Sequence, residues 1–402
     1  MNTFSELSLS PALQANLATH GFVEPTPVQA KAIPPALAGH DVVATAQTGT
    51  GKTLAFVLPL LESLVTHPRD LNINAVVLSP TRELAMQIHE VFTRLAAGTG
   101  IRAAVVIGGV DEQKQLQTIR KGVQVVIATP VRLADFLNRK LVKLGAARVV
   151  VLDEADRMLD MGFLPTIRLI LAALPTERQT LFFSATIETS VAHLINAHVK
   201  NPVRVAIGST TAPSEHVDLH LYEVDQDRKL GLLNLMLKEQ EGTFLVFTRT
   251  KHGADRLAKK LDRDGVQVAS IHGGRTQSQR TRALSGFQRG QYRVLVATNV
   301  ASRGIHVEGI AHVVNYDLPQ VPEDFVHRVG RTGRAGIAGT ASTFSMPSER
   351  GDVQNIERTL KIRLTRRTVS SDVPREKAPV IQMRAASFQR ASAVRSGSRR
   401  SG

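Results

Sequence analysis

Two kinds of hydrophobic pattern alternate along the chain. Short runs rich in β-branched residues, Ala75 to Leu78, Ala103 to Ile107, Val123 to Ala128, Val149 to Leu152, Thr180 to Phe183 and Val203 to Ile207, are separated by stretches with apolar residues at helical spacing. Apolar runs too short for a buried helix read as strands covered on both faces, and the stretches between them as amphipathic helices. The alternation predicts a doubly wound, mostly parallel α/β sheet with helices on both faces. Around Gly208 to Pro213 the pattern lapses into Gly-Ser-Thr-Thr-Ala-Pro, the composition of a linker. A second series then begins, with strands expected at Leu219 to Val224, Thr243 to Phe247, Val266 to Ile271, Arg293 to Ala297, His312 to Tyr316 and Thr340 to Phe344. The expected organisation is a first domain over 1–207, a linker over 208–216, a second domain over 217–365 and a tail over 366–402.

One stretch stands out against this background. Ala44 to Thr53 follows an apolar run and opens a helical pattern, and it reads Gln47-Thr48-Gly49-Thr50-Gly51-Lys52-Thr53 at its end. A phosphate needs backbone N–H groups unobstructed by Cβ atoms, the positive end of a helix, a mobile cation and a hydroxyl for a metal ion, and this stretch offers all four. Gly49 and Gly51 open the turn, Lys52 would reach the β- and γ-phosphates, and Thr53 would ligate Mg²⁺. Upstream, Gln29 has the side-chain amide that can read the N6 and N7 edge of adenine, and Phe22 could stack on the ring.

Further groups fall at the ends of expected strands, where ligands gather in such sheets. Val149 to Leu152 ends in Asp153-Glu154-Ala155-Asp156, placing Asp153 to hold the metal and Glu154 to polarise a water. Thr180 to Phe183 ends in Ser184-Ala185-Thr186, which reads equally as a helix cap or a coupling element. Thr81-Arg82, Gly108-Gly109 and Thr129-Pro130-Val131-Arg132 bring hydroxyls, backbone donors and arginines to helix starts, the groups that contact a nucleic-acid backbone without reading bases. The second half has no Gly-Lys-Thr loop but supplies His327-Arg328-Val329-Gly330-Arg331-Thr332-Gly333-Arg334, with guanidinium groups suited to charge developing on a transferred phosphoryl group.

Composition refines this picture. At 402 residues with 43% hydrophobic residues the chain suits two ordinary cores, and with no cysteine any metal is expected to be oxygen-bound. The first basic residue is Lys31 and no apolar run reaches membrane-spanning length, so a soluble, cytoplasmic protein without membrane attachment is expected. Net charge is +15, favouring polyanion partners; residues 366 to 402 carry nine Arg and Lys against two acids, so about half the excess sits in a tail expected to be disordered.

Taken together, these residues resemble the DEAD-box ATP-dependent RNA helicases from Phe4 to about residue 346, in wording most similar to the bacterial RhlE type. The resemblance implies two tandem RecA-like domains with ATP, Mg²⁺ and RNA bound across the cleft between them. It implies that Phe22 and Gln29 read adenine, Gln47 to Thr53 bind phosphates, and Gly304 and His306 approach the nucleotide from the second domain. Lys52, Asp153, Glu154, Arg331 and Arg334 would carry catalysis, and Ser184, Thr186 and His327 would couple hydrolysis to domain closure. RNA would lie on Thr81, Arg82, Gly109, Thr129 and Arg132 in the first domain and on Gly273, Gln277, Arg280 and Thr298 in the second. The activity implied is RNA-dependent ATP hydrolysis with local strand separation; the alternative is an ATP-gated RNA clamp with little unwinding. Three positions depart from the family wording: Val131 stands for Gly in Thr-Pro-Gly-Arg, Asn299 for Asp in Ala-Thr-Asp, and His306 for the Asp closing Arg-Gly-Ile-Asp. The departure at His306 is expected to weaken ATP binding.

Overall fold

The computed structural model describes residues 1–46, 50–67, 70–207, 217–299, 309–333 and 338–376, with the backbone alone at Glu323. The linker, Gln47, Thr48, Gly49, Gly304, His306, Arg334 and the chain beyond 376 lie outside the described residues. The first half runs α1 (Pro11–Thr19), α2 (Pro27–Leu37), β1 (Val42–Thr45), α3 (Lys52–Val65), β2 (Ala75–Leu78), α4 (Arg82–Leu95), β3 (Ala103–Val106) and α5 (Glu112–Arg120). It continues through β4 (Val125–Ala128), α6 (Pro130–Asn138), β5 (Val149–Leu152), α7 (Ala155–Asp160), α8 (Leu164–Ala172), β6 (Gln179–Ser184), α9 (Thr189–His198) and β7 (Val203–Ala206). The second half runs β8 (Val217–Glu223), α10 (Lys229–Glu239), β9 (Thr243–Thr248), α11 (Lys251–Arg263), β10 (Val268–Ile271) and α12 (Gln277–Gln288). Then follow β11 (Val294–Thr298), β12 (Ile310–Asn315), α13 (Pro322–Val329), β13 (Gly339–Ser345), α14 (Arg350–Leu360) and β14 (Thr365–Arg367).

Each half builds one seven-stranded sheet, ordered β3-β4-β2-β5-β6-β1-β7 and β10-β11-β9-β12-β13-β8-β14, with parallel pairing between neighbours. Alternate side chains of each strand enter opposite cores. Val149 and Val151 join the cluster with Phe56, Phe92 and Phe183, while Val150 and Leu152 join the one with Phe136, Met158 and Phe182. In the second sheet Leu245 and Phe247 face one core, and Phe244 and Val246 the other. Burial of each such side chain contributes about 1.5–3 kcal/mol, which is why strands with no polar member stay in the middle of the sheets. Because the strands run parallel, their carboxyl ends share one edge, and the loops after β1, β2, β4, β5 and β6 all open there. No helix among the described residues is long and apolar enough to cross a membrane.

The expected end of the second domain at 365, and a disordered tail from 366, are corrected. Thr365–Arg367 adds to β8 as a parallel edge strand, held by backbone hydrogen bonds rather than by apolar side chains, since all three residues are exposed. The chain then crosses the start of α10 as a strap. Arg228 Nη2 donates to the carbonyls of Ser370 and Ser371 at 2.7 and 2.8 Å, Lys260 pairs with Glu376 at 2.5 Å, and Val373 is buried in the second core. Gly231 makes room for it: a Cβ there would overlap the Pro374 carbonyl.

Candidate active site

The phosphate loop is wired to the segment before it. Gly51 has φ +89°, in the left-handed region, and a Cβ there would overlap Gln29 Nε2. Gln29, buried at the start of α2, donates through Nε2 to the Gly51 carbonyl at 2.9 Å and accepts through Oε1 from Thr26 N at 2.9 Å. Thr26 Oγ1 donates to the Thr50 carbonyl at 2.7 Å. The amide expected to read adenine therefore also senses the loop, with one N–H and one lone pair left over for a base. Phe22 is half-buried against the first core. Lys52 opens α3, with Nζ donating to the Ala46 carbonyl at 2.8 Å, and Thr53 follows it, half-buried.

Across from the loop, β5 delivers Asp153 and Glu154, both nearly inaccessible to solvent. Burial pushes the Asp153 carboxyl up to about 7, against the pull of Lys52 and with a contribution from the neighbouring Glu154 charge. Its Oδ1 has no hydrogen-bond partner among the described residues. A buried carboxylate oxygen without a donor, within reach of the Lys52 charge, fits a divalent cation. No cluster of three His, Cys, Asp or Glu that could hold a metal alone is found among the described residues. Mg²⁺ takes one or two protein oxygens and completes its shell with phosphates and water.

Glu154 is a non-glycine residue at φ 50°, ψ 51°, a strained backbone of the kind that marks functional positions. Burial opposes its charge, but Arg157, then Arg331 and Lys52, outweigh burial and hold the carboxyl below its ordinary value. Arg331 belongs to the second half of the chain. It lies just past α13, is 3% exposed, and donates through Nε to the His327 carbonyl at 3.2 Å. The structure thus brings residues of the two domains onto one carboxylate.

Asp156 is a hub that the sequence reading missed. Its Oδ2 accepts from Ala185 N at 2.9 Å, Thr186 N at 2.8 Å and Thr186 Oγ1 at 3.2 Å. Ser184 Oγ accepts from Asp156 N at 3.3 Å and donates to the Thr186 carbonyl at 2.7 Å. The signal was the last acid of Asp-Glu-Ala-Asp, whose partners lie about thirty residues away and cannot be named from spacing. Asn299 is also placed: Nδ2 donates to Asp324 at 2.6 Å while Oδ1 accepts from Arg328 Nε at 2.7 Å. An amide can do both, whereas an aspartate only accepts. Arg328 further donates to Asn315 Oδ1 and the Asp317 carbonyl, which locks α13 and with it the approach of Arg331.

The candidate RNA face is brought together in the first domain. The Arg82 guanidinium lies across Gly108 and Gly109; Gly109 has φ +72°, and a Cβ there would overlap Arg82 Nη1. Thr81 caps α4 by accepting from Leu84 N at 3.3 Å. Thr129 precedes α6, where Arg132 lies over the Phe136 ring and Val131 projects into solvent, 57% exposed. Helix α6 runs through position 131 from Pro130 to Asn138. In the second domain Gly273 is exposed after β10 and Thr298 ends β11. Gln277 and Arg280 are buried and turned toward the first domain, donating to Glu83 Oε1 at 3.0 Å and Oε2 at 2.6 Å. Their side chains join the domains.

Residues 26–194 match the DEAD/DEAH box helicase family and residues 228–336 the helicase conserved C-terminal domain. The DEAD-box ATP-dependent RNA helicase CshA of Bacillus cereus is 41% identical over 367 residues, 91% of this chain and 70% of that protein. The ATP-dependent RNA helicase RhlB of Xanthomonas oryzae is 44% identical over 337 residues, 82% of this chain and 59% of that protein. The structure superposes on S. cerevisiae Dbp5 bound to RNA and ADP BeF3 with a TM-score of 0.81 at 30% identity, covering 92% of this chain and 96% of that one. Mss116p bound to ssRNA and AMP-PNP gives 0.84 at 27% identity, with 91% and 78% covered. A DEAD box protein from the hyperthermophile Methanococcus jannaschii gives 0.54 at 34% identity, with 91% and 99% covered. The two seven-stranded sheets are tandem RecA-like domains, and the chain belongs to the DEAD-box ATP-dependent RNA helicases.

Proposed function

We propose that this protein is an RNA-dependent ATPase that separates short RNA duplexes, with Mg²⁺ as the metal partner of ATP and the bacterial cytoplasm as its setting. The observation that carries the reading is the approach of Arg331, from the second domain, to Glu154, from the first. A phosphoryl-transfer site divided in this way is complete only when the domains are together. An arginine delivered across such a boundary is worth about 10³–10⁵ in rate, so hydrolysis waits on closure.

The chain's own groups have separate tasks. Lys52 and the loop up to Gly51 hold phosphates, while Gln29 and Phe22 hold the base. Asp153 and Thr53 would hold the metal, which supplies neutralisation of phosphate charge when bound. Glu154 orients the attacking water. Asp156 ties α7 to Ser184 and Thr186, so a shift at the carboxylates is passed to the end of β6. RNA lies on Arg82, Gly109 and Arg132 with Thr81 and Thr129, continued by Gly273 and Thr298, through phosphate and ribose contacts of little sequence specificity. The wording of the motifs favours the RhlE type within the family. The test is ATP hydrolysis by the full chain with no nucleic acid, with RNA and with DNA, alongside unwinding of a short RNA duplex. Stimulation by RNA and unwinding with ATP are expected; hydrolysis indifferent to RNA would overturn the reading, and RNA-stimulated hydrolysis without unwinding would favour an ATP-gated clamp.

A further inference from the structure

The site contains one buried cation that the reading above leaves without a task. Arg157 follows Glu154 by three residues, so the two side chains meet on one face of the first turn of α7. Its Nη1 donates to Glu154 Oε2 at 2.6 Å. The side chain is 1% exposed and among the largest that are fully buried. Hiding a guanidinium is costly, and an arginine that only stabilises an interior is expected to find acceptors for its five N–H groups. Arg157 does not: Nε and Nη2 have no hydrogen-bond partner among the described residues. The one polar side chain it grips is that of Glu154.

Glu154 needs such a grip. Its backbone is fixed in the left-handed region, but that does not by itself fix the side-chain torsions, and two other cations act on the carboxylate, Lys52 from the phosphate loop and Arg331 from the second domain. Either would be an attractive partner in a buried setting. A carboxylate that swung onto Arg331 would neutralise the guanidinium meant for phosphate, and one that swung onto Lys52 would leave the water without an acceptor. Occupying Oε2 with a cation from the same helix fixes the carboxylate plane. The direction in which the other oxygen accepts a hydrogen bond is then fixed as well.

We propose that Arg157 is a positioning residue for ATP hydrolysis, holding Glu154 in its water-orienting pose and keeping it from pairing with Arg331 when the domains meet. The inference rests on the reading of Glu154 as the group that orients water. A purely structural ion pair would stabilise α7 to the same degree whatever Glu154 does in turnover. A positioning role makes the effect of Arg157 vanish when Glu154 can no longer act.

The experiment measures RNA-stimulated and single-turnover ATP hydrolysis by the full chain for the natural protein, Arg157→Gln, Arg157→Lys, Glu154→Gln and the double variant Glu154→Gln with Arg157→Gln. Arg157→Gln is expected to lower kcat about 10²-fold, the low end for a positioned proton acceptor, with KM for ATP and RNA changed less than about threefold. Arg157→Lys, which keeps the charge but loses the planar fork, should recover part of the loss. In the Glu154→Gln background the Arg157→Gln change should alter the residual rate less than about twofold. An undiminished kcat in Arg157→Gln, or an equal fractional loss with and without Glu154, would overturn the inference. If Arg157→Gln melts below the assay temperature, Arg157→Lys is compared in the same two backgrounds and the same outcomes decide. Absence of RNA-stimulated hydrolysis in the natural protein is read first and counts against the proposed function instead.

Discussion

The two sheets have the same strand order. Counting each from its own first strand, both read 3-4-2-5-6-1-7, yet only one carries a phosphate loop. The parallel extends to side chains. In the first sheet, strand one leads to Lys52 at the start of α3 and strand five ends in Asp153-Glu154; in the second, strand one leads to Lys229 at the start of α10 and strand five ends in Tyr316-Asp317. Lys229 Nζ donates to the Tyr316 carbonyl at 2.9 Å and lies 3.8 Å from Asp317, 1% exposed, with burial holding its pKa below the ordinary lysine value. A buried lysine facing acids at strand tips is therefore common to both halves. The difference is the backbone before it. The first half has Gly51 in the left-handed region and an anion-ready helix start, whereas the second has a short 3₁₀ turn, Gln226–Arg228, with Arg228 holding the carbonyls of the C-terminal strap. Backbone donors, more than the lysine, separate a nucleotide site from its structural echo.

The sharpest way to break this comparison is to exchange fates between the lysines. Lys52→Ala is expected to abolish ATP binding and hydrolysis, while Lys229→Met should leave ATP affinity within about twofold and instead lower stability, since Lys229 is engaged by the Tyr316 carbonyl and Asp317 and has no phosphate loop before it. Titration with a fluorescent ATP analogue decides, and equal losses would erase the distinction. Next in size, Arg331→Ala should lower RNA-stimulated turnover about 10³–10⁵-fold with ATP binding nearly intact, because the second domain contributes charge rather than a cradle. A smaller effect is expected at the seam. Glu83→Ala leaves Arg280 buried without its carboxylate only when the domains are closed, a penalty of about 3–5 kcal/mol on closure. RNA affinity with a nonhydrolysable ATP analogue should fall while melting of the unliganded protein changes little. The smallest effect concerns the last strand of each sheet. Ending the chain after Leu364 should destabilise the second domain by about 1.5–3 kcal/mol through Val373 alone, whereas ending it after Glu376 should leave the melting temperature unchanged.

The sheets were legible because central parallel strands cannot hide a polar residue, so Val149 to Leu152 and Thr243 to Phe247 announce themselves. The loop before Lys52 and the acids after Leu152 were legible because phosphate chemistry restricts residue type and spacing together. What escaped was direction. Sequence places Gln277 and Arg280 on a helix but does not say that they turn to Glu83, nearly two hundred positions earlier. It offers Asp153, Glu154 and Asp156 as three acids, and only folding assigns Asp156 to Ala185 and Thr186. Strand β14 escaped for another reason: Thr-Arg-Arg at a sheet margin needs no apolar side chain, since the backbone carries the pairing. Its counterpart β7, with two valines, was visible. Had the repeat of strand order been known beforehand, a seventh strand after α14 would have been required.

That margin has a consequence for how the protein behaves at high concentration. Without β14, the long strand β8 would present an unpaired row of N–H and C=O groups to any extended segment nearby, the template on which sheets of different molecules join. Instead the outermost strand is three residues long and displays two arginines, one of which, Arg366, forms a salt bridge with Glu357. A three-residue edge strand offers little ladder to an incoming segment, which disfavours strand addition along this side of the molecule.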